Sequence, residues 1–201
     1  GAAGEKQLAD PHPAVRRAAL AALRPGSDPG GAALLDRALK DPSWEVRETA
    51  VSLLAPLDGS GAGAAAALLN DKAWQVRRAA LRSVGALGYA PAAAAVEETA
   101  KDENWLVRAE AARCLAALGE RRAAGTLLLL CKDRDADVRR EAVRAIRTLG
   151  DREAVPFVAP LLKDRDPRVR ADARRTLAAL SGVSLPPDPE AWYRWWNSLP
   201  R

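Results

Sequence analysis

The sequence predicts an all-α protein built as a solenoid, a stack of repeated helix pairs. Three observations carry this. The pattern Asp-x-x-x-x-Val-Arg-x-x-Ala begins at Asp10, Asp41, Asp71, Asp102, Asp133 and Asp164. Successive copies are separated by 31, 30, 31, 31 and 31 residues, and one unit rewritten at one period is the signature of stacked repeats. Inside a copy the apolar positions fall at helical spacing, as Val46, Ala50, Val51, Leu53 and Leu54 do in the second.

Taken in order, the chain opens on Gly1 to Gly4, which read as a disordered stub, and on Glu5 to Ala9, the tail of a first helix. Two residues after each Asp stand His12, Ser43, Ala73, Asn104, Asp135 and Asp166. Most of these are N-cap types, and Pro13 and Pro167 follow where proline fits the first helical position, so a helix starts there in every copy. A second apolar stretch precedes each Asp, such as Gly125 to Leu130 or Val155 to Leu162. The unit is therefore two antiparallel helices joined by short turns. Longer turns are expected over 24–31 and 56–63, which are rich in Gly, Ser and Pro. Leu87-Gly88, Leu118-Gly119 and Leu149-Gly150 mark helix ends. The repeat stops at Gly182, and Ser184 to Asp188 is a linker. Asp188-Pro189-Glu190 then opens a last helix with Trp192, Trp195 and Trp196 on one face. These rings are expected to cover the open apolar end of the stack, which solenoid termini require, with a docking site as the other reading. The organisation expected is a solenoid over 1–182 and a linker with capping helix over 183–201.

Asp-x-x-x-x-Val-Arg-x-x-Ala-x-x-x-Leu at this period resembles the HEAT-repeat superfamily, in the short bacterial form called HEAT-like or PBS-lyase-like repeats. The resemblance covers about residues 5–182 and implies a right-handed α-solenoid. Arg16, Arg47, Arg77, Arg108, Arg139 and Arg170 stand in every copy, as do the six Asp. In this family such Asp and Arg side chains form a ladder between neighbouring repeats. A structural role follows, since a catalytic site needs one copy of a residue and not six.

Composition narrows the classes further. Apolar residues make up 48% of the chain, enough for a core buried between neighbouring units, but there is one Phe and only two Tyr, so Ala, Leu and Val do the packing. The net charge of +5 is a mild basic excess, far from a nucleic-acid-binding tail. No apolar run is long enough to span a membrane. Cys114 and Cys131 fall at repeat positions held elsewhere by small or apolar residues, which reads as buried free thiols. One histidine, His12, gives a metal too few ligands. The chain starts without Met and without a signal peptide, which fits a mature exported protein as well as a cytoplasmic one.

Candidate binding residues come from what varies between copies. The resemblance implies that the helix carrying Val-Arg lines the concave surface, where ligands of such solenoids bind. Counting each Asp as zero, positions +3, +4, +7, +8 and +11 face away from the core positions +5, +9 and +13. The +3 column contains Trp44, Trp74 and Trp105 in three consecutive units. They form either an aromatic strip or separate covers for the turns of their own units. The +11 column carries Arg82, Arg113, Arg144 and Arg175, and the +7 column adds Arg17, Arg78 and Arg140. Glu110, Glu141 and Asp172 at +8 accompany them, so a solvated salt-bridged face is the competing reading. Tryptophan and arginine are enriched at binding hot spots, and the site expected is Trp44, Trp74, Trp105, Arg78, Arg82, Arg113, Arg140 and Arg144.

Enzyme readings fare worse. The superfamily's deoxyhypusine hydroxylases use repeated His-Glu pairs, which this chain lacks. Nothing matches a chromophore site of the phycobilin lyases, and the concave residues of the HEAT-like DNA glycosylases have no positional match. No nucleophile–base pair, phosphate loop or metal-ligand cluster is present. The expectation is a non-enzymatic scaffold, without cofactor, that holds a protein or peptide segment. The alternatives are nucleic-acid binding through the arginines and tryptophans, and head-to-tail self-assembly of a monomer.

Overall fold

The computed structural model describes residues 2–23, 28, 30–55 and 61–200. Its regular elements among these residues are helices alone. In chain order they are α1 (Ala2–Leu8), α2 (Pro13–Ala21), α3 (Gly31–Ala38), α4 (Trp44–Ser52), α5 (Ala62–Ala67), α6 (Trp74–Ala86), α7 (Ala93–Thr99), α8 (Trp105–Ala117), α9 (Ala124–Leu130), α10 (Ala136–Leu149), α11 (Val155–Val158), α12 (Pro167–Ser181) and α13 (Pro189–Asn197). Odd-numbered helices up to α11 are the first (A) helices of the repeats, and even-numbered ones are the second (B) helices that carry the Val-Arg motif. The chain divides into two compact units, Gly1–Ala95 and Val96–Arg201.

Each B helix begins one residue after the expected N-cap. The N-terminal signal is nevertheless not mainly the N-cap side chain. Asn104, Asp135 and Asp166 accept a backbone N–H two residues on, whereas His12 and Ala73 make no such bond and Ser43 instead donates to Glu45. What all six copies share is the motif Asp. Its Oδ1 accepts the backbone N–H of the N-cap residue at 2.8–2.9 Å, turning the chain into the helix. At the other end, Gly119 and Gly150 follow α8 and α10 with φ of 65° and 67°, a left-handed conformation that glycine adopts without a Cβ clash.

Of the stub expected over Gly1 to Gly4, Gly1 lies outside the described residues, and the rest is corrected: α1 already starts at Ala2 and runs through Gly4. Of the longer turns, residues 24–27, 29 and 56–60 lie outside the described residues. Gly31 and Ala62-Gly63, expected in those turns, belong to α3 and α5.

Within each unit the B helices stack on one another: α2 on α4 and α4 on α6 in the first, α8 on α10 and α10 on α12 in the second. The motif valines lie in these seams. Val46, Val76, Val107, Val138 and Val169 are 0% exposed, while Val15 on α2 is 37% exposed. Position +10 is likewise buried in the first five copies, as Leu20, Val51, Leu81, Ala112 and Val143. Two hydroxyls fasten the seams: Ser83 donates to the Val51 carbonyl and Thr176 to that of Val143. Cys114 and Cys131 are buried free thiols, and burial pushes both up to about 12.

The Asp–Arg ladder is present. Arg16, Arg47, Arg108 and Arg139 each grip the Asp of the next copy, Asp41, Asp71, Asp133 and Asp164, through Nε and Nη2 at 2.7–2.9 Å. The remaining amino group, Nη1, donates to two carbonyls of the arginine's own turn, for example Asp133 and Arg134 for Arg139. Each guanidinium thus joins three chain segments in a bidentate, charge-assisted geometry. Burial pushes the four carboxyl groups upward, but the arginine bonds and the N-cap N–H outweigh it, and all four lie below the ordinary aspartate range.

At the C-terminus α13 packs on α11 and on the following 3₁₀ turn, Ala159–Lys163. Trp192 is buried and its indole N–H donates to the Pro186 carbonyl at 3.2 Å. Trp195 meets Trp192 edge-on with centroids 5.9 Å apart, and the Arg152 guanidinium lies 5.2 Å from the Trp195 ring. The terminal aromatic helix is a cover for the last A helix.

Two outcomes are expected. Arg139→Ala leaves the buried Asp164 without its counter-ion and costs about 3–5 kcal/mol of stability in denaturant unfolding, whereas Arg170→Ala, which loses only two carbonyl bonds, costs about 1–2 kcal/mol. Because the four ladder carboxyls are depressed in the folded chain, their contribution is complete above the unfolded value of about 4 and is lost as the pH falls through the folded values. Melting temperatures measured from pH 7 to pH 2 should be level at the upper end and drop below about pH 4.

Candidate binding surface

The three tryptophans each occupy the first residue of a B helix. Trp44 opens α4, Trp74 opens α6 and Trp105 opens α8. The turn set by the motif Asp places the +3 residue first in its B helix in every copy. Trp44 and Trp74 are half-buried and, among the described residues, make no ring–ring contact, so the first unit holds them as separate rings and not as a stacked strip. Trp105, in the second unit, is 39% exposed. In the first unit Arg78 is half-buried and Arg82 exposed, both on α6.

The second unit brings the other arginines together on one face of α8, α10 and α12. Arg113 donates through Nε to Glu141 of the next B helix at 2.9 Å and through Nη1 to Glu110 of its own at 3.3 Å. Arg144 repeats the arrangement one copy later, with Asp172 at 3.1 Å and Glu141 at 3.1 Å. Arg140 reaches the same Asp172 at 3.2 Å and its own Asp137 at 3.1 Å. The +11 arginines and +8 acids therefore form a second ladder, parallel to the first.

The +8 residues depart from the sequence expectation. They were placed on the face away from the core, yet Glu110, Glu141 and Asp172 are buried, Asp172 to 1% exposure. For Glu141 and Asp172 position +8 lies at the seam between successive B helices, and arginines of the preceding copy close over it, whereas Glu110 is met by Arg113 of its own helix. Two consequences follow. The acids are not competing surface charge but fixed counter-ions, which hold the guanidinium groups in place while these stay partly exposed. In addition, Oδ1 of Asp172 has no hydrogen-bond partner among the described residues, although Arg175 Nη1 approaches to 3.4 Å. Arg175 and Arg168, which pairs with Asp137 and Asp166, belong to this network and were not among the expected site residues. The signal that could have found Arg175 was its i,i+3 spacing from Asp172, the same spacing as Glu141 to Arg144.

Arg113, Arg140 and Arg144 each spend Nε and Nη1 on these carboxylates. A guanidinium offers five N–H donors, so the Nη2 group of each remains available to a ligand. Four arginines (113, 140, 144 and 175) meet four carboxylates (110, 137, 141 and 172), so the patch is rich in oriented donors and close to neutral. Among the described residues no helix is long and apolar enough to cross a membrane.

Paired helices at a constant period, laddered by arginine and carboxylate, define an α-solenoid repeat scaffold. The family model for HEAT repeats matches residues 5–68, 61–135 and 124–191, and the chain belongs to the HEAT-repeat family. No curated protein matches it. Solved structures with the same fold include the complex of CpcE and CpcF of phycocyanin lyase from Nostoc sp. PCC7120, with a TM-score of 0.69 and 21% identity over 87% of this chain and 68% of that one. YibA of E. coli gives a TM-score of 0.71 and 21% identity over 88% of this chain and 69% of its own. A designed armadillo repeat protein in complex with the peptide (KR)4 gives 0.65 and 21% identity over 89% and 98%.

Removal of both arginines that serve Asp172 tests the second ladder. The double variant Arg140→Ala/Arg144→Ala leaves a buried carboxylate with Arg175 alone and should lose about 3 kcal/mol, seen as a melting temperature lower by roughly 6–12 °C. Adding Asp172→Asn to that variant should recover part of the loss.

Proposed function

We propose that the chain is a non-enzymatic scaffold that binds an extended peptide or protein segment along its B-helix face. The observation that carries the reading is the set of arginines in the second unit, anchored by buried acids and presenting spare Nη2 donors, together with the exposed ring of Trp105. Such donors suit the main-chain carbonyls of an extended chain, which needs repeated hydrogen bonds at a regular spacing, and anchored side chains give up little entropy on binding. Trp105 would provide an apolar contact for one side chain of the ligand. Trp44 and Trp74, with Arg78 and Arg82, would serve the first unit in the same way. A designed armadillo protein of similar fold was solved with a peptide bound, which supports this use of the architecture.

Nucleic acid is the weaker reading. Phosphate binding draws its affinity from uncompensated positive charge, and here each clustered arginine already faces a carboxylate.

The test is selection of binding peptides from a random peptide library, followed by titration against variants. Trp105→Ala and the pair Trp44→Ala/Trp74→Ala are each expected to keep native far-ultraviolet circular dichroism. At least one of them should weaken peptide binding tenfold or more. Peptide affinities unchanged by all three substitutions would remove the tryptophans from the site. Binding of single-stranded DNA that falls steeply with salt would favour the nucleic-acid reading instead.

A further inference from the structure

Helix α12, the linker over 183–188 and α13 enclose a cleft of about 330 Å³ in the second unit. Its lining has two parts of different chemistry. Ala178, Leu185 and the ring of Trp192 form an apolar wall, while Arg174, Arg175 and the Ser184 hydroxyl supply the polar side. Among the described residues no carboxylate lines it. The walls are tied to one another. The Trp192 indole donates to the Pro186 carbonyl, fixing α13 to the linker, and Asp188 both caps α13 and pairs with Lys163 at 3.8 Å.

The two arginines are not equivalent. Arg175 pairs through Nη1 with the buried Asp172 at 3.4 Å, and Asp172 is shared with Arg140 and Arg144. Arg174 stands at position +10, which is apolar and buried in the five earlier copies. Here it is exposed and has no ion pair among the described residues. The cleft therefore presents two guanidinium groups, of which only that of Arg174 carries a charge that no carboxylate among the described residues balances.

We propose that this cleft binds a small monoanionic ligand in which a carboxylate adjoins an apolar group, supplied either by a free carboxylic acid or by the C-terminus of a polypeptide. The planar guanidinium fork matches the two oxygens of a carboxylate, and Ser184 adds a neutral donor. One unbalanced cation suits a single negative charge and not a phosphate dianion, whose second charge would meet no counter-ion. The wall of Ala178, Leu185 and Trp192 takes the apolar group out of water and lowers the local dielectric, which strengthens the ion pair beside it. Small-molecule clefts run upward from about 300 Å³, so this one takes a short ligand. It shares Arg175 with the arginine network described above, but its other lining residues lie outside that network. The reading therefore stands whether or not an extended segment binds the B-helix face.

The test is an NMR titration of the isotope-labelled full chain with two acids and their amides. Hexanoate stands for the free acid, and acetyl-Ala-Ala-Leu with a free carboxylate for a chain end; hexanamide and the amidated peptide lack the charge. At least one acid should bind saturably and shift the Trp192 indole N–H resonance, assigned through Trp192→Phe. Its amide should bind at least tenfold more weakly. The acid that binds more tightly assigns the source of the carboxylate. Arg174→Gln, at an exposed position, should keep the fold and weaken binding tenfold or more, and Ala178→Phe, which fills the cleft, should block it. Trp105→Ala, which reports on the extended-peptide face, should leave the affinity unchanged. The proposal is overturned if neither acid binds at millimolar concentration or if acids and amides bind equally. It is also overturned by an affinity that survives Arg174→Gln or Ala178→Phe, or one that is lost in Trp105→Ala.

Discussion

The structure depends on one interaction, the clamp between an arginine of one repeat and the aspartate that starts the next. A single guanidinium satisfies two carbonyls of its own turn and both oxygens of the neighbouring carboxylate, while that carboxylate holds the N-terminus of its own B helix. Helix entry, turn closure and repeat stacking are therefore one network. Buried ion pairs often contribute little net stability, because desolvation opposes the Coulombic gain. Here the remaining hydrogen-bonding capacity of each arginine is used on two carbonyls of its own turn, so the pair fixes register as well as charge.

The second ladder has a different character. Its carboxylates are buried but its arginines are partly exposed, with side-chain exposures of 47% for Arg113 and 37% for Arg144. An arginine tethered at its base and open at its tip is an oriented donor with much of its rotamer freedom already spent. That property separates it from an ordinary surface salt bridge, where both partners are solvated and mobile. It also makes the face nearly neutral, and the balance between these two facts decides the kind of ligand it suits.

In the second unit the A-helix and B-helix layers differ around α11 and α12. The last A helix is covered by α13, whose Trp192 is buried and whose Trp195 is braced by Trp192 and Arg152. The last B helix instead replaces its apolar seam residue by Arg174. Arg174 is exposed, so its charged head stays in water while its stem lies along the helix surface.

Period, helix starts and ladder residues were legible from the sequence, because each depends on residues that recur at fixed offsets from copy to copy. Asp, Val, Arg and Ala at fixed offsets leave one stacking arrangement that buries the valines and pairs the charges, and the helix starts at Pro13, Trp44, Trp74, Trp105, Ala136 and Pro167 follow from it. The chain's start was misread, since Ala2 to Gly4 extend a helix whose beginning carries no cap signal. The tertiary structure alone decided what the varying columns do. Position +8 faces solvent on an isolated helix, and in the second unit the packing of one B helix on the next buries Glu141 and Asp172 beneath arginines of the preceding copy.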